Sequence, residues 1–411
     1  MKKALFIGFV WPEPSTTAAG QRMLQLLFAF KGFGYHLTFA STATKTAHSH
    51  NLESLGIKTA AIKLNHVSFD AFVAELKPDI VVFDRFMVEE QFGWRVAAHA
   101  PNAIRILNTE DLHSLRKHRE VCHRKGEVFT VKDWLDGDMT KREVASIYRS
   151  DLSLLTSTFE MELLHKRLKL PQEILMHLPF LLNGIDEEKV KSWPPFEQRE
   201  GFITYGNGRH EPNVHSVMYL KKSVWPLLRK KLPNASLQVF GAYLPQQIQE
   251  MHNPSEGFLV LGWVEDLDKQ IANSRVCLAP LRFGAGIKGK LVQAMQNGTP
   301  SVTTTVGAEG MLSGSKWPGS IAHSDEEFIN SALALHNDQI LWSKAQQRGV
   351  ELINQGYSKT KWLPQLKVKL EWFQQNLTQH RSENYVGALL QHQTLASTKF
   401  MGKWIEEKNR K

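Results

Sequence analysis

The chain has 411 residues, more than one hydrophobic core usually supports, so two domains are expected. Hydrophobic residues make up 42% and charged residues 22%, an ordinary globular balance that excludes disordered and fibrous classes. A net charge of +9 points to anionic partners, among them nucleotides, anionic lipid headgroups and nucleic acid.

Met1-Lys2-Lys3 precedes an apolar stretch, but Gly8-Phe-Val-Trp-Pro-Glu13 carries no small-residue cleavage site. Residues 4–10 therefore read as a first strand and not as a secretory leader. No apolar run reaches the ~18–20 residues that span a bilayer, so a cytosolic protein is expected. A helix carrying Met23, Leu26, Leu27 and Phe30 follows, then a strand at 37–40 and another at 57–64. Next come a helix with Phe69, Phe72, Val73 and Leu76, a strand at 80–83 ending at Asp84, and a strand at 104–107. This alternation predicts an open parallel sheet. Residues 111–149 interrupt it as a long, highly charged helical insertion. A strand then resumes at 152–155, with Ser157 or Thr158 capping the next helix, and a linker falls near 183–186.

A second alternating series starts at Phe202 and runs through strands at 237–240, 259–261, 276–278 and 302–304, a second doubly wound sheet. Cys277 lies in one of these strands as a small buried thiol; with Cys122 far away, neither a disulfide framework nor a zinc spacing exists. Beyond Asp325 the pattern turns helical. Residues 358–377 carry Trp362, Leu366, Leu370 and Phe373 on one helix, and a polar, basic tail closes the chain.

In open α/β sheets ligands collect at the carboxyl ends of strands. The most informative such place is Pro280-Leu-Arg-Phe-Gly284-Ala-Gly286-Ile-Lys288-Gly-Lys290, which reads as strand, glycine loop and cationic helix start. Glycines let the backbone approach a ligand, and a helix N-terminus favours phosphate. Gly298 and Pro300 then stop that helix. Gly206, Asn207, Gly208 and Arg209 also follow a strand; Arg209 either grips a diphosphate in a forked geometry or is a solvated turn residue. Glu309, in Val306-Gly-Ala-Glu-Gly310, either accepts hydrogen bonds from sugar hydroxyls or sits in a plain turn. The strand at 104–107 runs into Asn108-Thr-Glu110-Asp111-Leu-His113-Ser-Leu-Arg116, where Asp111 is equally a helix cap and His113 equally a solvated residue. Asp84, followed by Arg85, is suited either to an acceptor or to a structural role. The strict dinucleotide fingerprint is missing, which removes the main support for oxidoreductase chemistry. Asp136-Gly-Asp138 matches a short metal motif but precedes a charged helix instead of ending a strand, so no metal is expected.

The stretch from Pro280 to Pro300, continued by Val306-Gly307-Ala-Glu309-Gly310, resembles the donor-binding segment of family-four retaining glycosyltransferases (glycosyl transferases group 1) of the GT-B fold. Phe202-Ile-Thr-Tyr-Gly206-Asn-Gly208-Arg209, Pro212-Asn213-Val214, Val224-Trp225-Pro226 and Leu237-Gln-Val-Phe-Gly241 are similar to the opening of that family's nucleotide-binding domain. The likeness covers roughly residues 200–312 in the family's order.

It implies two Rossmann-like doubly wound domains facing each other across a cleft: an acceptor-side domain at 1–185 and a nucleotide-sugar-binding domain at 186–357. A crossing helix at 358–378 would pack back on the first domain, and 379–411 would form a basic helical tail. The resemblance further implies metal-independent transfer with retention, with a nucleotide-sugar as substrate and no cofactor. Donor-binding roles then fall on Gly206, Asn207, Arg209, Gly241, Gly284, Gly286, Lys288, Gln293 and Glu309, and catalytic roles on His113 and Asp111. Gly20 and Arg22 resemble the family's first-loop pattern, and Asp84 stands on the acceptor side. The family often has two glutamates eight positions apart; here Ala285 and Gln293 occupy those places, and Gln293 retains only an amide oxygen as acceptor.

The acceptor expected from this reading is a cell-envelope glycan or lipid-linked saccharide, with the basic surface and a tail bearing Phe400 and Trp404 against an anionic membrane. Glu406 and Glu407 weigh against an interfacial helix. The cations at Lys117-His118-Arg119 and His123-Arg124-Lys125 would instead suit a nucleic acid acceptor such as tRNA. Gln293 leaves room for a non-catalytic nucleotide-sugar binder. A nucleic-acid-binding protein without transferase activity lacks any recognised module.

Overall fold

The computed structural model of the protein describes residues 2–311 and 316–409. Residues 1 and 410–411 of the expected end segments, and position 312 at the edge of the family-like region, lie outside the described residues.

Short β-branched and aromatic runs without polar alternation form parallel strands buried on both faces. In the segment Ile80–Asp84 all five residues are buried. Among the described residues seven strands make the first sheet: β1 (Lys3–Gly8), β2 (His36–Ser41), β3 (Lys58–Ala61), β4 (Ile80–Asp84), β5 (Ile104–Asn108), β6 (Leu152–Leu155) and β7 (Leu175–His177), in the order β3-β2-β1-β4-β5-β6-β7. Six described strands make the second: β8 (Glu200–Tyr205), β9 (Leu237–Phe240), β10 (Phe258–Gly262), β11 (Ser274–Ala279), β12 (Ser301–Thr304) and β13 (Gly319–Ala322), in the order β10-β9-β8-β11-β12-β13. Every ladder is parallel, from Lys3↔His36 in the first sheet to Thr304↔Ala322 in the second. β7 and β13 were not expected from the sequence. Both are edge strands of three or four residues, too short for a periodic signal.

Each sheet winds outward in both directions from a central pair, β1 and β4 in one, β8 and β11 in the other. At such a reversal the loops after the two strands diverge and leave a crevice. The loops that follow β1, β4, β5, β8 and β11 therefore point at one another. Two crossings join the halves. Leu182 pairs with Ser358 in an isolated parallel bridge, and the helix Lys359–Glu383 returns to bury Leu366, Leu370 and Phe373 with Ile80, Ile104 and Leu152 of the first core. Arg381 fixes its end by donating to Asp151 Oδ2 at 2.7 Å. The last helix, Tyr385–Lys408, lies on Phe86–His99 and Asp138–Arg149. Among the described residues no helix is long and apolar enough to cross a membrane.

Candidate active site

A cavity of about 800 Å³ occupies the space between the two crevices. Gly20, Asp84, Asp111 and His113 line it from the first sheet's side, and Gly206, Asn207, Arg209, Gly241, Gly284, Lys288 and Gln293 from the second.

The glycine loop behaves as its composition demands. Gly284 and Gly286 have φ of 151° and 64°, conformations costly for any residue with a Cβ. A Cβ at Gly286 would also lie 2.7 Å from the Asp111 side chain, so this loop touches the opposite half directly. The helix Gly289–Gln296 starts with Lys288 at its N-cap, where no side chain caps the free N–H groups. Lys288 folds back to donate from Nζ to the carbonyls of Gly286 at 2.6 Å and Ala285 at 3.1 Å. Burial pulls its pKa down to about 8 against the opposing pull of Glu309 and Glu160. Lys290, also in the cavity wall, is likewise brought to about 8 by burial. Both gain from an anion that restores the charged form. Arg209 stands at the rim with its guanidinium 3.7 Å from the centre of the Tyr243 ring.

Across the cavity, Asp111 is not a helix cap. The N–H groups of His113 and Ser114 donate to Glu143, both at 2.9 Å, which frees the Asp111 carboxylate for Arg116 Nε at 2.6 Å and His113 Nε2 at 3.2 Å. Burial opposes its ionisation, but Arg116 and His113 outweigh burial and hold the carboxyl well below the usual carboxylate range. Burial brings His113 down to about 3 despite Asp111, so near neutral pH it is an uncharged imidazole. Its Nδ1 has no partner among the described residues. Beside this pair, Asp84 ends β4 and Glu110 follows β5, with backbone strain at Glu110 itself, φ 61°, and at Arg85 next to Asp84, φ 75°. Burial raises both carboxyls, Glu110 to about 7.

Residues 201–338 match the family of glycosyl transferases group 1. No curated protein sequence matches the chain. Among solved structures, a sucrose-phosphate synthase of Thermosynechococcus elongatus aligns over 92% of this chain and 100% of its own at TM-score 0.65 and 16% identity. HepE of Anabaena, solved with UDP and glucose, aligns over 90% and 100% at 0.65 and 12%. WaaG, a glycosyltransferase involved in lipopolysaccharide biosynthesis, aligns over 89% and 98% at 0.58 and 12%.

The fold is GT-B.

Not every expected residue faces the GT-B cleft. Arg22 is fully buried beneath it, donating to Pro179 O at 2.8 Å and Asn108 Oδ1 at 3.3 Å, with Glu110 at 3.8 Å. It lies beneath the first loop and is not among the residues that line the cavity. Glu309 is held by Arg119, whose Nη1 and Nη2 meet its two oxygens at 2.7 and 2.9 Å while Nη1 also donates to Gly284 O at 2.9 Å. Its carboxylate joins the first half to the second through Arg119. The Gly286 N–H is already given to Glu160 Oε1 of the first half at 2.8 Å. Asp138 of the Asp-x-Asp motif is 98% exposed beside Lys141, outside the GT-B cleft.

Arg116 of the ionisable cluster also lines the cavity, as does Trp263. The sequence singled out none of His210, Asp266 and Asp268, which line it too. Trp263-Val-Glu-Asp-Leu-Asp268 directly follows β10, so its position after a strand was a usable signal. His210 had none, because only tertiary packing brings it near Arg116 and Asp111.

Proposed function

We propose that this protein moves a sugar from a nucleotide-sugar donor to an acceptor hydroxyl, with retention of configuration and without a metal ion. The observation that carries the reading is the meeting, in one cavity, of Arg209, Lys288, Lys290 and an uncapped helix start with the Asp111–His113 pair. A diphosphate on the helix N-terminus gives up its bond to the sugar with its developing negative charge facing three cations, which stabilise departure most in the transition state. The acceptor hydroxyl then attacks from the face the phosphate is leaving. Its proton passes to the released phosphate oxygen, so charge and atoms balance without a dedicated protein base. His113, neutral and braced by Asp111, orients a donor-sugar hydroxyl. Asp84 and Glu110 stand where the acceptor enters.

Within this reading, residues 1–185 serve the acceptor and 186–357 the donor, with 358–378 as crossing helix and 379–411 as basic tail. A cell-envelope or lipid-linked saccharide is the acceptor class best supported. Phe400, Met401 and Trp404 are exposed on the last helix, in sequence among Lys399, Lys403 and Lys408. That combination suits a protein held at the cytoplasmic face of an anionic membrane. Structural kinship to WaaG points the same way. Incubation with a panel of nucleotide-sugars tests the proposal: slow donor hydrolysis that disappears in His113→Ala is expected. Binding with no turnover for any donor and acceptor would make the protein a non-catalytic binder.

A further inference from the structure

Glu160 stands in the short helix Thr158–Glu162, which Ser157 caps through the Glu160 N–H. Its side chain is fully buried between the two halves. Oε1 accepts two backbone N–H bonds, from Leu112 of the first half at 3.1 Å and from Gly286 of the second at 2.8 Å. Leu112 lies between Asp111 and His113, and Gly286 belongs to the glycine loop that leads to Lys288. One oxygen thus joins the backbone that carries His113 to the backbone that ends at the phosphate-facing helix start. The same short helix also seats the Glu309 turn, because Thr158 Oγ1 donates to Gly310 O at 3.2 Å and Ser157 leaves no room for a Cβ at Gly310.

We infer that Glu160 is a positioning residue for sugar transfer: its Oε1 holds the His113 backbone at a set distance from the glycine loop, so that the imidazole meets the donor sugar when the diphosphate is seated. This rests on the nucleotide-sugar reading. Glu160 is not among the residues that line the cavity, so it acts through Leu112 and Gly286 and does not touch the sugar. The spacing it sets has little slack, since a Cβ at Gly286 would already crowd Asp111. Misplacing a reacting group by about 1 Å costs on the order of a hundredfold in rate. Burial raises the carboxyl to about 8, so near neutral pH it is uncharged and serves as an oxygen acceptor instead of a counter-ion. Its Oε2 has no partner among the described residues. A carboxamide offers the same acceptor at the same place, whereas a shorter acid or an apolar side chain leaves both N–H groups unmet.

The test uses the full chain as wild type, Glu160→Gln, Glu160→Asp and Glu160→Leu, with the nucleotide-sugar that the wild type hydrolyses fastest. Donor hydrolysis gives kcat, referred to the folded fraction read by circular dichroism, and calorimetry gives the Kd of the nucleoside diphosphate released. Glu160→Gln is expected to keep kcat within about threefold, while Asp and Leu lower it roughly a hundredfold with Kd moved by less than about threefold. Because Asp and Leu fail for different reasons of size and polarity, one that does not fold leaves the other to decide. Wild-type kcat per folded molecule in Asp or Leu makes Glu160 a purely structural residue and overturns the inference. Gln as slow as Leu, or Kd rising in step with the fall in kcat, overturns it too while the donor reading stands. A wild type that turns over no donor overturns the transferase reading and the inference with it.

Discussion

Arg119 ties the first half to the glycine loop and the Glu309 turn of the second. It projects from the helix His113–Lys125 of the first half, makes a two-pronged pair with Glu309, donates to Gly284 O, and lies 5.0 and 5.3 Å from the ring centres of Phe129 and Phe159. The paired side chains are 10% and 18% exposed, so solvent screens them little. Arg119→Ala leaves Glu309 without its partner and Gly284 O without its donor. Breaking a largely buried, geometrically ideal pair costs on the order of 3 kcal/mol. A double-mutant cycle with Glu309→Ala in urea unfolding should therefore return a coupling of about 2 kcal/mol, and the single variant should also lose nucleotide affinity because Gly284 belongs to the phosphate loop. A coupling near zero, with Arg119→Ala as stable as wild type, would show that the clamp is incidental and refute the reasoning.

His113→Ala should lower kcat roughly a hundredfold while leaving nucleotide Kd unchanged, as expected for a group engaged mainly in the transition state; steady-state kinetics beside calorimetry separates the two. Arg22→Met should cost about 3 kcal/mol of stability, because Glu110 and Pro179 O lose a buried partner, yet the folded fraction should bind nucleotide normally. Loss of binding at full stability would return Arg22 to the phosphate site. Burial raises the Glu160 carboxyl to about 8, so the fold holds it protonated where the unfolded chain ionises it above its ordinary 4.5. The stability it contributes is complete below the unfolded value and is lost as pH rises through about 8. Glu160→Gln should flatten the fall in melting temperature over that window, and an unaltered profile would contradict the assignment.

Much of the architecture was legible because its signals are local. The helix after the glycine loop ends where Gly298, with φ of 63°, and Pro300 require, and Ser157 caps its helix through the Glu160 N–H at 3.4 Å. The glycine loop and Lys288 were readable for the same reason. Arg22 and Glu309 were not, since their partners Pro179 and Arg119 lie 157 and 190 positions away and no spacing rule reaches that far. The same holds for Asp111, whose capping alternative lost to Glu143, thirty residues downstream of His113. Lys290 stood in the motif, but only burial in the cavity distinguishes it from a solvated lysine.

The account turns on a diphosphate seated at the start of the helix Gly289–Gln296. Titration of UDP, GDP and ADP into wild type, Lys288→Ala and Arg209→Ala tests this most directly. At least one nucleotide should bind the wild type, and each substitution should weaken it by roughly ten- to a hundredfold, the worth of one charge-assisted hydrogen bond. Equal affinity in all three proteins would contradict it.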